Sequence, residues 1–215
     1  MTISSRTGTS MSQPLRDDGA LRGAVMLALF ILLGLSYSLV ATGITGALFP
    51  VQAHGSLLRD DARVVGSALV AQPFADVRYF QPRPSAAKYD PAAAAGSNQA
   101  RSNPDLQTRI AATRAEVAAR DGIAPEAVPA ELITQSGSGL DPHLSPAGAQ
   151  VQVRRVAAAR GWPEQRVAAL VQAATEQPQF GLLGQPRVNV LALNLALERA
   201  GNGESGIGNG VKQKH

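Results

Sequence analysis

Residues 24–49 read AVMLALFILLGLSYSLVATGITGALF, a run of apolar and small residues without a formal charge. At about 1.5 Å per residue, a helix of this length extends roughly 39 Å and exceeds a hydrocarbon core of about 30 Å. The run predicts one transmembrane helix over 22–49, and it separates a short N-terminal part of the chain from a much longer C-terminal part. A cleaved signal peptide is the rival reading, because Arg16 and Arg22 come before the run and Val51-Gln52-Ala53 has a small-x-small form. Signal cores are about 7–15 residues long, and this run is far longer, so it reads as an anchor.

Charge sets the expected orientation. Arg6, Arg16 and Arg22 precede the helix, and Arg59 and Arg63 come soon after it. That bias puts the N-terminus in the cytoplasm and residues 50–215 outside. The helix also carries small residues, with Gly34, Ser38 and Thr42 recurring every four positions. Such a stripe permits close approach of another helix, which a plain anchor does not need.

Composition narrows the chemistry. The chain has no cysteine, which removes disulfides, thiolate metal sites and cysteine nucleophiles. Its three histidines and 16 carboxylates show no H-x-x-x-H or D-x-D-x-D spacing, which argues against a dedicated metalloenzyme. The net charge of +4 is spread over single basic residues, with Arg154-Arg155 the one adjacent pair, and aromatics make up 4%. Those features argue against a nucleic-acid partner.

Residues 50–200 are long enough for one domain. β-like runs stand at 56–58 and 63–70. Next comes a polar stretch over 79–104, YFQPRPSAAKYDPAAAAGSNQARSNP, too dense in turn formers for regular structure. Its Arg83, Lys88, Asn98, Arg101 and Asn103 form a candidate surface for a partner protein or a small anion, or else a solvated loop. Helices come after it. Asn103 and Pro104 open one that Gly122 closes; Ser145-Pro146 opens another running to Arg160; Pro163 opens a third, with Trp162 placed to staple it. After Arg187 the chain reads either as a strand through Val188 and Val190 or as a helix capped by Asn189, and the helix, ending at Gly201, is preferred. The fold class is thus α+β: one N-terminal transmembrane helix, then a single soluble domain with a small sheet and three to four helices. Residues 1–18 and 201–215 read as a disordered tail and a flexible tail.

One run invites a catalytic reading. Residues 137–146, GSGLDPHLSP, put Ser138, Asp141 and His143 within six positions. Triad members normally converge from separate parts of a fold, and the G-x-S-x-G elbow fails because positions 136 and 140 are Ser and Leu. Neither familiar glycine-rich phosphate loop is present. The plain alternative is a turn, with Ser145 capping the next helix. Two classes survive: a membrane-anchored accessory subunit, which the small-residue stripe favours, and an anchored extracytoplasmic binding domain. An enzyme comes third.

Several ordered blocks then carry a resemblance: FPVQAHGSLL at 49–58, GSALVAQ at 66–72, YFQPRPSA at 79–86, GSN at 96–98, SNP at 102–104, SGLDPHLSP at 138–146, QVRRVAAARG at 152–161 and GQPRVNVLALNLAL at 184–197. Together they resemble KdpC, the C subunit of the bacterial Kdp potassium-transporting P-type ATPase. Relatives often carry Asn at the position of His54, so His54 is no required ligand, and residues 1–18 look peculiar to this chain.

The resemblance implies a non-catalytic subunit of the inner membrane, single-pass, with a periplasmic domain and no cofactor of its own. Implied partners are membrane lipid, a channel-like K⁺-selective subunit, a P-type ATPase subunit that binds ATP, and a small single-helix subunit; K⁺ is the transported ion. It further implies a catalytic chaperone that raises the ATP affinity of the ATPase subunit, with Gln152 near the nucleotide. The alternative is a domain that covers or gates K⁺ entry at the channel-like subunit without affecting nucleotide. Candidate partner-binding residues are Gly34, Ser38, Thr42, Arg83, Asn98, Asn103, Ser138 and Asp141.

Overall fold

The computed structural model describes residues 15–60 and 62–210. Most of the expected N-terminal tail and the last five residues of the C-terminal one lie outside the described residues. The chain divides into two units, one through Ala53 and one from His54 onward.

The first unit is built on helix α1, Leu15–Leu48. Within it, Gly19–Leu48 is long and apolar enough to cross a membrane. The helix starts earlier than the apolar count suggests, because the backbone ladder needs no apolar side chains and continues ahead of the charge-free run. Ser38 and Thr45 turn their hydroxyls back to the carbonyls of Gly34 and Ala41, both at 2.7 Å, so neither leaves a polar group open to lipid. Pro50 has no N–H to give the ladder. A one-turn helix α2, Pro50–Ala53, completes the unit.

The second unit begins with an antiparallel hairpin, β1 Leu57–Asp60 and β2 Arg63–Ser67, with a bulge after Leu58. A Cβ at Gly66 would displace the ends of the Gln72 and Leu191 side chains, which pack against the bare backbone there. Helix α3, Pro104–Asp121, has the expected ends: Asn103 accepts from the Asp105 N–H, and Gly122 closes it at φ +66.

The expected helix over 146–160 is two helices. Strand β3, His143–Leu144, leads into α4, Pro146–Gln150, which Ser145 caps, and α5 spans Val153–Arg160. The break falls at Gln152, whose N–H bonds to Ala149 O in a tighter turn. Gln152 is wholly buried. An unbroken helix would not aim its amide at the main chain of Gln81, with which it pairs.

Helix α6, Glu164–Ala173, and strands β4, Thr175–Glu176, and β5, Arg187–Asn189, complete a three-stranded antiparallel sheet in the order β3-β5-β4. The last helix, α7, runs Val190–Gly210. Both readings of the 187–201 segment therefore hold in sequence: a short strand ends at Asn189, whose side-chain oxygen then accepts from the Ala192 N–H. Gly201 does not end the helix, because no proline comes after it to stop the ladder and glycine is tolerated inside it. The class is α+β, with two small sheets rather than one and, through the split at Gln152, five α-helices from α3 onward among the described residues. The core of this unit is centred on Phe80, Leu144, Val156, Val167, Leu193 and Leu197, each almost fully buried.

Candidate functional site

The polar stretch that reads as a loop is entered through a turn over Asp76–Tyr79, where the Tyr79 N–H reaches Asp76 O, and its first residues are bound rather than solvated. Between Val77 and Gln81 five successive carbonyls are each held by a side chain from α5, from α7 or from the break before α5. Arg155 donates to Val77 O and, at 2.9 Å, to Tyr79 O. Arg160 donates to Arg78 O at 2.8 Å. Asn194 brackets Phe80, accepting from its N–H at 2.9 Å and donating to its carbonyl at 3.0 Å. Gln152 does the same for Gln81, at 2.8 and 3.1 Å. Two buried amides thereby satisfy the main chain of Phe80 and Gln81 where no strand lies beside it.

The second carboxamide donor of Gln152 goes to Gly148 O at 3.2 Å, and its oxygen also accepts from Arg155 at 2.8 Å. No donor or acceptor of this amide is left over. Gln152 therefore presents no free group to a nucleotide in this arrangement.

Behind it lies a buried charge cluster. Asp121, whose side chain has no exposed surface, accepts from Arg155 Nε and Arg120 Nη2, both at 2.6 Å. Burial lowers the Arg155 pKa from its ordinary value, and the bond to Asp121 opposes that shift. A buried pair of this kind stands only while both members are present. Arg160 adds a bond to Glu198 at 2.7 Å and lies over the Tyr79 and Trp162 rings. Arg166 also stacks on Trp162, 3.8 Å from the ring centroid.

The run 137–146 meets the same segment further on. Arg83 and Asp141 form an ion pair at 2.9 Å, Ser85 donates to Gly139 O, and Ser136 N–H reaches Pro84 O. Gly139 sits at φ +70 with Ala95 O 2.7 Å from where a Cβ would stand. Asp141 also accepts from the His143 main chain at 3.0 Å, with its imidazole at 3.5 Å. The His143 ring and main chain, with Arg83, outweigh burial and pull the Asp141 carboxyl down to about 2. Ser138 is exposed and its Oγ accepts from the Leu140 N–H, the geometry of a turn. Ser138 thus takes no part in a Ser–His–Asp chain.

The remaining candidates are dispersed. Asn103 is spent as the α3 cap. Asn98 stands at φ +50 in irregular backbone held by Arg109, which donates to Gln99 and Ser97. Gly34, Ser38 and Thr42 lie along α1. Among the described residues no three His, Asp or Glu side chains gather as a metal site. A groove of about 540 Å³ is lined by Gln150, Gln165, Gln172 and Gln177 with small apolar neighbours, and its walls carry no titratable group. Phe180, Leu182 and Leu183 stand out at a hairpin tip, 83%, 85% and 62% exposed.

Sequence reading missed Asn194, Arg155, Arg160 and Asp121. A signal existed for Asn194, since it falls on the apolar stripe of Val190, Leu193 and Leu197, where a polar side chain needs a partner. Arg154 and Arg155 looked like one basic pair, yet Arg154 is exposed and Arg155 is turned inward.

The model for the family described as "KdpC: K+-transporting ATPase, c chain" matches residues 21–199. A protein of Xanthomonas axonopodis pv. citri named "Potassium-transporting ATPase KdpC subunit" is 84% identical, covering 94% of this chain and all of its own length. Proteins of the same name from Shewanella putrefaciens and Caulobacter vibrioides are 50% and 52% identical over 80% and 81% of this chain, and 87% and 89% of their own. A relative from Xanthomonas oryzae pv. oryzae covers 96% of the chain, too much for residues 1–18 to be peculiar to it.

Proposed function

Because the chain belongs to the KdpC family, the c chains of K⁺-transporting ATPases, we propose that it is a non-catalytic accessory subunit of a high-affinity, ATP-driven K⁺ uptake complex. Its partners are a channel-like K⁺-selective subunit, a P-type ATPase subunit and a small single-helix subunit. The chain spans the inner membrane once, N-terminus cytoplasmic, and holds its domain in the periplasm.

In this reading the chain stabilises the assembly and acts as a catalytic chaperone, raising the ATP affinity of the ATPase subunit from a distance. The observation that carries this is Gln152, buried with every hydrogen-bonding position of its amide engaged inside the domain. A periplasmic domain is also separated from cytoplasmic ATP by the bilayer. The effect on nucleotide is therefore a coupling free energy of about 1–3 kcal/mol transmitted through partner subunits.

A second reading, in which the domain covers or gates the K⁺ entry of the channel-like subunit, draws on the exposed tip at Phe180, Leu182 and Leu183, since apolar side chains in such a patch favour contact with another surface. The test is ATP affinity of the purified complex with and without this chain. Removal is expected to weaken it by roughly 5- to 150-fold. Unchanged affinity in an otherwise intact complex refutes the chaperone role and leaves the entry reading.

A further inference from the structure

Tyr37 lies at the middle of the charge-free run 24–49, about 18 Å along the helix from either end. Wherever a hydrocarbon layer of about 30 Å is set along that run, the Tyr37 Cα stays roughly 10 Å inside it. That depth is too great for a tyrosine to snorkel to the headgroups as a lysine or arginine near a helix end can. The neighbouring hydroxyls solve the same problem locally, Ser38 on Gly34 O and Thr45 on Ala41 O. A phenol oxygen stands too far from its own backbone to do so, and among the described residues the Tyr37 hydroxyl makes no hydrogen bond. Its side chain is 77% exposed on α1. Lipid tails offer no acceptor, so a phenol O–H left facing them carries its full desolvation penalty.

Gly34 and Ala41 stand three residues before and four after Tyr37, on the same helical face. A Cβ at Gly34 would meet nothing within 4 Å, so this face is open to close approach. We propose that the Tyr37 hydroxyl donates a hydrogen bond, near the middle of the bilayer, to an oxygen acceptor on a transmembrane helix of a partner subunit that packs over Gly34 and Ala41. The acceptor is a hydroxyl, carboxamide or carboxylate oxygen, or a carbonyl freed by a local helix break. The inference rests on the accessory-subunit reading, since a chain described as a c chain has other subunits as its nearest neighbours in the membrane.

The experiment uses the full-length chain in native membranes. p-Benzoylphenylalanine at position 37 is photolysed and the adduct identified, and Tyr37→Phe, which keeps the ring and removes only the donor, is compared with wild type for retention of the complex in rising detergent. Trp162 fluorescence checks that the domain is unchanged. A cross-link to a partner subunit, with roughly three- to tenfold less complex retained by Tyr37→Phe, is the expected result. Adducts confined to lipid, or to a second copy of the chain, overturn the proposal, as does a Tyr37→Phe complex as resistant as wild type. Wild-type chain that purifies without any ATPase subunit overturns the subunit reading itself, a different outcome from an intact wild-type complex indifferent to Tyr37→Phe.

Discussion

Gln152→Leu removes one amide and keeps most of the volume, so it isolates what that amide contributes. Four hydrogen bonds disappear: two with the Gln81 main chain, one with Gly148 O and one with Arg155. Arg155 retains Asp121 and the carbonyls of Val77 and Tyr79, so its loss is small. The Gln81 N–H and carbonyl lose their side-chain partner, at about 1–3 kcal/mol each when buried. Gln81 is half-buried, which places the total at about 3 kcal/mol. In a domain of this size that loss lowers Tm by roughly 6–12 °C. The assay is thermal and urea unfolding of the full chain in detergent, monitored through Trp162, the single tryptophan. A variant within about 0.5 kcal/mol of wild type refutes the clamp. Lowered nucleotide binding with unaltered stability would instead point to direct contact at Gln152.

Asp141→Asn should lower stability at pH 6 by about 1 kcal/mol, a figure discounted for partial exposure of the pair. The Asp141 carboxyl is depressed to about 2 from 3.8, so its contribution is complete above about pH 4 and lost as pH falls toward 2. Wild type and variant should converge over that window, and a gap that persists below it refutes the assignment. Gly139→Ala should cost about 3 kcal/mol, since φ is +70 and the new Cβ would meet Ala95 O at 2.7 Å. Gly122→Ala, at φ +66 with open space around it, should cost only about 1 kcal/mol, and equal losses at the two sites would refute the packing of the 137–141 turn on the 83–97 loop. Ser138→Cys, in a chain without other cysteines, should react with a membrane-impermeant thiol reagent in intact cells. Labelling only after lysis refutes the periplasmic placement.

Much of the local structure was legible because its causes are local. The apolar run, the Asn103-Pro104 and Ser145-Pro146 starts and the Gly122 and Gly161 stops each depend on a few adjacent residues, and each appears where the residues put it. The polar stretch 79–104 was not legible in the same way. Prolines and glycines announce irregular backbone, but they do not say whether that backbone is solvated or bound. The answer came from Gln152, Arg155 and Asn194, whose bonds to Gln81, Tyr79 and Phe80 span 71 to 114 positions. The split of the 146–160 helix has the same origin, since helix propensity favours continuity there and only a distant main-chain partner offsets the break.

Read without coordinates, the chain already declares one membrane-crossing segment, an α+β domain after it, and blocks of residues that place it in its family. Periodicity, capping chemistry and desolvation of charge act over one or two turns, and a linear reading captures them. Which polar residues are structural was settled only by tertiary contacts. Arg155 and Arg154 are adjacent, yet one is turned inward onto the Val77 and Tyr79 carbonyls and the other is exposed. Gln152 is an ordinary helical residue until the chain brings Gln81 to meet it. Whether a donor or acceptor is free for a partner depends on what the fold has already given it, and that is set by contacts about a hundred residues apart.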